Sequence, residues 1–143
     1  MPADPIVERT LAVTRSLRDF ASQLMERAYA KRDAGELSLD DFLLMEQRHQ
    51  AVLNQANTII YAATDSLAVI ADQFHEVEDA VQELDRLQGR LRAVGDVLAI
   101  AAQVLLATSA LALMVSAPDP GTVSATASAI FDLGRTVRDT VPR

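Results

Sequence analysis

The chain has 143 residues, 50% of them hydrophobic, and no cysteine, which leaves one domain with its own core and excludes disulfides, thiol catalysis and Cys-zinc sites. Its five prolines (Pro2, Pro5, Pro118, Pro120 and Pro142) leave residues 6–117 free of proline, with only Gly35, Gly89 and Gly95 as breakers; that excludes an all-β fold. The net charge is −7, with one lysine and no basic patch, which excludes nucleic acid as a partner.

The first predicted helix covers 5–34. Asp4 can cap it, Pro5 suits the first helical position and Glu8 falls in the first turn. Ile6, Thr10, Val13, Leu17, Phe20 and Leu24 recur at alternating spacings of four and three, the seam of a bundle or coiled coil. Gly35 closes the helix as a left-handed residue. Ser38 followed by Asp41 is a capping-box variant that opens a second helix, and so short a connection predicts an antiparallel hairpin.

From Leu39 to Gln88 the helical pattern runs on. Ala56, Ile60, Ala63, Leu67, Ile70, Phe74, Val77, Val81, Leu84 and Leu91 keep the same rhythm. One unbroken helix over 39–88 would be a rod of roughly 75 Å, much longer than a compact domain of this size is wide. Two outcomes are open: a bend near Gly89 or Gly95 that folds the chain back, or an elongated protein paired with another chain.

Val97 to Ala117 then gives 21 residues without a charge, only Gln103, Thr108, Ser109 and Ser116 being polar. Pro118-Asp119-Pro120-Gly121 is a stop and turn. Residues 121–140 read as a closing helix with Val123, Ala127, Ile130 and Val137 on one side. The expected fold is all-α: one domain over 1–143, a bundle of two antiparallel helical hairpins, elongated if 39–88 stays whole.

The apolar segment 97–117 is the strongest functional signal. Val97, Leu98, Ile100, Val104, Leu105, Leu106, Leu111, Leu113, Met114 and Val115 lie in a stretch long enough to span a bilayer. Arg86, Arg90 and Arg92 precede it and nothing basic follows until Arg135, which would place the N-terminal part in the cytoplasm. Thr108, Ala112 and Ser116 form a small-xxx-small row suited to close helix approach in lipid. The competing reading is a central helix buried on all sides by the others. A hairpin held against long helices until its release into a membrane, the general plan of α-helical pore-forming proteins, joins the two.

Residues 35–96 hold twelve acidic and four basic side chains. Asp72, Glu76, Asp79 and Glu83 are each two residues from seam positions 70, 74, 77 and 81, so on a helix they face away from the seam. They form either a solvated face or a docking stripe for a basic partner. Glu46-x-x-His49 and Asp72-x-x-His75 repeat the carboxylate-x-x-His spacing of di-iron bundles. The two motifs are roughly 39 Å apart on an unbroken helix, so they share a site only if the chain folds back or two chains meet. Neither metal nor cofactor is assigned; Glu46, His49, Asp72 and His75 are the weak candidates.

No phosphate-binding loop, G-x-S-x-G or H-E-x-x-H is present, and the loops at 34–38 and 117–122 are short. The expectation is a non-catalytic protein without a small-molecule substrate, acting by helix-mediated association. Its apolar hairpin would contact or enter a membrane, as in a bacterial toxin, holin or immunity protein. The alternative is a soluble helical adaptor, chaperone or immunity protein that binds a partner protein, or itself, through the seam and the acidic face. No basic-then-apolar N-terminal run marks a signal peptide, so the expected location is cytoplasmic or at the inner membrane.

Overall fold

Helix α1 (Ile6–Asp33) forms on the seam its sequence predicts: Ile6, Thr10, Val13, Leu17, Phe20 and Leu24 are all buried. It belongs to a computed structural model that describes residues 5–140, all-helical and without a strand among them. Asp4, the expected cap, lies outside the described residues. At the other end, Gly35 (φ +75°) donates its N–H to the Arg32 carbonyl at 3.1 Å, and Glu36 donates to the Lys31 carbonyl at 2.8 Å. This is a Schellman turn, which a residue without Cβ adopts at least cost.

Helix α2 (Leu39–Ala62) starts where expected. Ser38 Oγ accepts the Asp41 N–H at 3.1 Å, satisfying one orphan donor of the first turn. Met45, Val52, Ala56 and Ile59 form its buried stripe. α2 packs on α1 and on α4 (Val97–Ser116).

The long helix expected over 39–88 is not formed. α2 ends at Ala62, Ala63 and Thr64 are extended, and a short 3-10 segment (Asp65–Ile70) leads through a turn into α3 (His75–Arg86). Two physical causes act together. Thr64, Asp65 and Ser66 offer side-chain hydrogen bonds that compete with helix continuation, and the Thr64 and Ser66 hydroxyls meet at 2.8 Å. Folding back also buries Leu67, Ile70 and Phe74 completely, each worth about 1.5–3 kcal/mol. On a straight rod they would lie far from most of α1.

The reversal is clipped in place by Arg9. Its Nε lies 3.1 Å and its Nη2 2.5 Å from the Glu78 carboxylate, and its guanidinium sits 5.3 Å from the centre of the Phe74 ring. One side chain of α1 thereby holds both the turn and α3.

The chain turns again between Leu87 and Asp96, where a bend near Gly89 or Gly95 is one of the two outcomes the sequence leaves open. A second 3-10 segment (Gln88–Ala93) and extended Val94 carry it to Asp96, whose carboxylate caps α4 at the Ala99 N–H, 3.0 Å away. α5 (Pro120–Thr140) follows a turn in which Asp119 and Thr122 cap reciprocally, at 2.9 and 3.1 Å.

The packing places α4 among α1, α2 and α5, while α3 lies against α1 and α5. α1 and α4 run in opposite directions: Arg27 Nε donates to the Val94 carbonyl at 2.9 Å, and Ala21 and Leu24 share a contact region with Ala101 and Val104. α3 follows the direction of α1, because Arg9 meets Glu78 and Gln23 meets Gln88. The longest helix is α1, with 28 residues.

Candidate association surface

Helix α4 divides its apolar residues unequally between two sides. Val97, Ile100, Ala101, Val104, Ala107, Thr108, Leu111, Met114 and Val115 are buried; Leu98 and Leu105 are half-buried against the core. Leu106 and Leu113 remain 61% and 58% exposed. Ala102 and Ser109 are half-buried and Ser116 is exposed. Ala102, Leu106, Ser109, Leu113 and Ser116 repeat at four and three, so they form one lane along the outer side of the helix.

The lane carries no charge over its whole length. The core side holds most of the branched bulk, whereas the outer side alternates small residues with two leucines. Thr108, on the core side, is satisfied by donating to the Val104 carbonyl at 2.8 Å. The expected row of Thr108, Ala112 and Ser116 does not face one environment: these residues are buried, half-buried and exposed in turn.

The acidic residues are split. Asp72 belongs to the turn before α3, while Glu76 and Asp79 stand exposed on α3. His75, Glu76 and Asp79 line a shallow cleft of about 390 Å³ against Ser124, Ser128 and Phe131 of α5. Glu83, expected in the same stripe, is instead tied down by Arg138 at 2.9 Å and Arg86 at 3.0 Å. Its role is to join α3 to α5, so the free acidic face is Asp72, Glu76 and Asp79.

The carboxylate-histidine pairs are not brought together. His49 packs among Leu24, Met45, Val52, Ala101 and Val104, with its Nε2 buried and unpartnered. His75 is exposed and its Nδ1 donates to the Asp72 carbonyl at 2.8 Å. Glu46 points to solvent. Among the described residues no group of three or more His, Asp and Glu side chains is arranged to hold a metal ion.

Burial lowers the His49 pKa below its ordinary value of 6.5. The unfolded chain then takes up a proton that the folded chain refuses. The contribution of neutral His49 to stability is therefore complete well above pH 6.5 and is lost as pH falls through the lowered folded value. His49→Leu should flatten the urea-unfolding midpoint between pH 7.5 and 5.5 relative to the native chain, as judged by circular dichroism. An unchanged pH slope would show that His49 is solvated in the folded state.

A cleft of about 630 Å³ lies between α1 and the second 3-10 segment and is lined by Gln23, Glu26, Arg27, Gln88, Leu91 and Arg92. It is open and mixes two guanidinium groups with a carboxylate, so its lining favours neither sign of ligand. Sequence reading missed the Arg9 clip and the outer lane. Arg9 carries no local signal for a partner 69 positions away. The lane was legible as a 4–3 repeat of small residues and leucines, but uniform hydropathy masked it. Comparisons with protein-family models, curated proteins and solved structures gave no match.

Proposed function

We propose that this protein is a non-catalytic helical association module that works as an intact bundle. It docks a helical protein surface onto the outer lane of α4. The reading takes the architecture as two antiparallel helical hairpins, α1–α2 and α4–α5, bridged by α3. The observation that carries it is the division of α4. Nine of its 20 residues are buried, among them Val97, Ile100, Val104, Leu111, Met114 and Val115, yet Leu106 and Leu113 stand exposed in an uncharged lane.

This division favours protein over lipid as the surface met. Insertion of α4 would leave the apolar faces of α1, α2 and α5 that cover Ile100, Val104, Leu111 and Met114 open to water, at roughly 25 cal/mol per Å² uncovered. A docked helix needs no such rearrangement. Exposed Glu76 and Asp79 lie elsewhere, against α5, and leave the lane itself uncharged.

The experiment compares the native chain with Leu106→Glu/Leu113→Glu by flotation with phosphatidylglycerol-containing vesicles and by 1-anilinonaphthalene-8-sulfonate fluorescence, both at pH 7. The native chain is expected to stay with the aqueous phase and to enhance the dye. The double variant should keep its helical circular dichroism and lose most of that enhancement. Co-flotation of the native chain, with residues 97–117 protected from protease, would overturn this reading in favour of membrane insertion.

A further inference from the structure

The lane on α4 is sterically self-complementary. Ala102, Ser109 and Ser116 recur every seven residues, with Leu106 and Leu113 between them, so small and large positions alternate at four and three. Two copies laid parallel would stack leucine on leucine and small on small, leaving hollow layers between crowded ones. Laid antiparallel, each leucine of one copy falls over a small residue of the other, and the four layers from residue 102 to residue 113 each hold one large and one small side chain. In the register that does this, Leu106 covers Ser109 of the other copy and Leu113 covers Ala102. The two-fold axis then passes near residues 107–108, close to the middle of α4 (Val97–Ser116).

Electrostatics leave the lane open to the same occupant. Each chain carries −7, which opposes self-association wherever charged faces meet. Residues 97–117 contain no ionisable side chain, so the lane adds no like charge of its own to that opposition. A partner recognised by charge would find nothing to pair with there, whereas an identical uncharged lane leaves no buried charge unpaired.

We propose that a second copy of this chain occupies the lane, forming an antiparallel α4–α4 homodimer about a two-fold axis. The proposal rests on the reading of the lane as a docking surface and names its partner. A helix of 20 residues offers a strip about 30 Å by 10 Å, or roughly 300 Å² per chain. A standard stable interface uses about 800 Å² per partner, so this dimer is weak and forms at high protein concentration.

Sedimentation velocity on the full chain from about 5 to 500 µM tests it, beside Leu106→Glu and the milder Leu113→Gln. The native chain is expected to pass from monomer to dimer across this range, and the dimer to strengthen with added salt as the −7 charge is screened. Both variants should remain helical and monomeric at the highest concentration. The absence of cysteine makes the register testable by oxidation. Chains carrying Ala102→Cys should cross-link to chains carrying Leu113→Cys but not to one another, since the two residues 102 would lie roughly 16 Å apart along the axis.

A native chain that stays monomeric throughout would overturn the homodimer and leave the lane open to a different helix. A dimer that persists in both variants would overturn the homodimer and the lane together, as would loss of helical signal in both. Self-cross-linking of Ala102→Cys would overturn the antiparallel register.

Discussion

Leu111→Asp should abolish folding at room temperature, whereas Leu106→Asp, one and a half turns away on the same helix, should leave the fold intact. Leu111 is wholly buried on the core side of α4. Removing it costs about 2–5 kcal/mol in lost contacts, and the carboxylate left there has no partner and costs several more. Native domains are stable by only about 5–15 kcal/mol, so the combined loss takes most or all of the margin. Leu106 is 61% exposed, and a surface charge changes stability by roughly 0.5 kcal/mol. Circular dichroism and urea titration of the two variants decide the matter. Equal tolerance of both would mean that α4 is not held in the core, and the membrane-insertion reading would regain its footing.

The second large effect belongs to Phe74→Ala, with an expected loss of about 3–5 kcal/mol. Phe74 is completely buried at the turn into α3, beneath the Arg9 guanidinium. Its ring fills the reversal that replaces the expected rod, and Arg9 loses its stacking surface along with it. Phe74→Leu keeps most of the volume and should cost about 1.5 kcal/mol or less. A small effect of the alanine variant on the urea midpoint would show that the reversal is not packed on α1 as described.

These two residues mark what could and could not be read from the chain. Phe74 is a seam position by spacing, and so are Leu67, Ile70, Val77, Val81 and Leu84; all are buried, whereas Ile60 and Ala63 of the same seam are 43% exposed and half-buried. Their periodicity told which side chains face the core but not where the axis turns. A 4–3 repeat survives a reversal in which each segment keeps its apolar side inward, so the pattern alone cannot distinguish a rod from a folded chain. The local hint was Thr64-Asp65-Ser66, three residues whose side chains compete for backbone groups. Its force depends on what burial is gained by stopping there.

Helix α4 shows the same limit from the other side. Its 21-residue apolar block suggested a surface without preference, yet most of its branched residues face the core. Gln103, Ser109 and Ser116 do not appear among its buried residues. That inequality was present in the sequence, hidden by averaging over a window in which alanine and leucine count alike.

The amino-acid sequence by itself determined the all-helical class, the Schellman stop at Gly35, the Ser38 start, the turn at 117–120 and the identity of most core residues. These follow from local propensity, capping chemistry and periodicity, each of which acts over a few neighbouring residues. Only the tertiary structure decided the reversal after Ala62, the clip from Arg9 to Glu78, the separation of His49 from His75 and the side of α4 left uncovered. Each of those depends on which distant surfaces meet. The physical reason is that burial is gained between elements far apart in the chain, and a local pattern states which side is apolar without stating what will cover it.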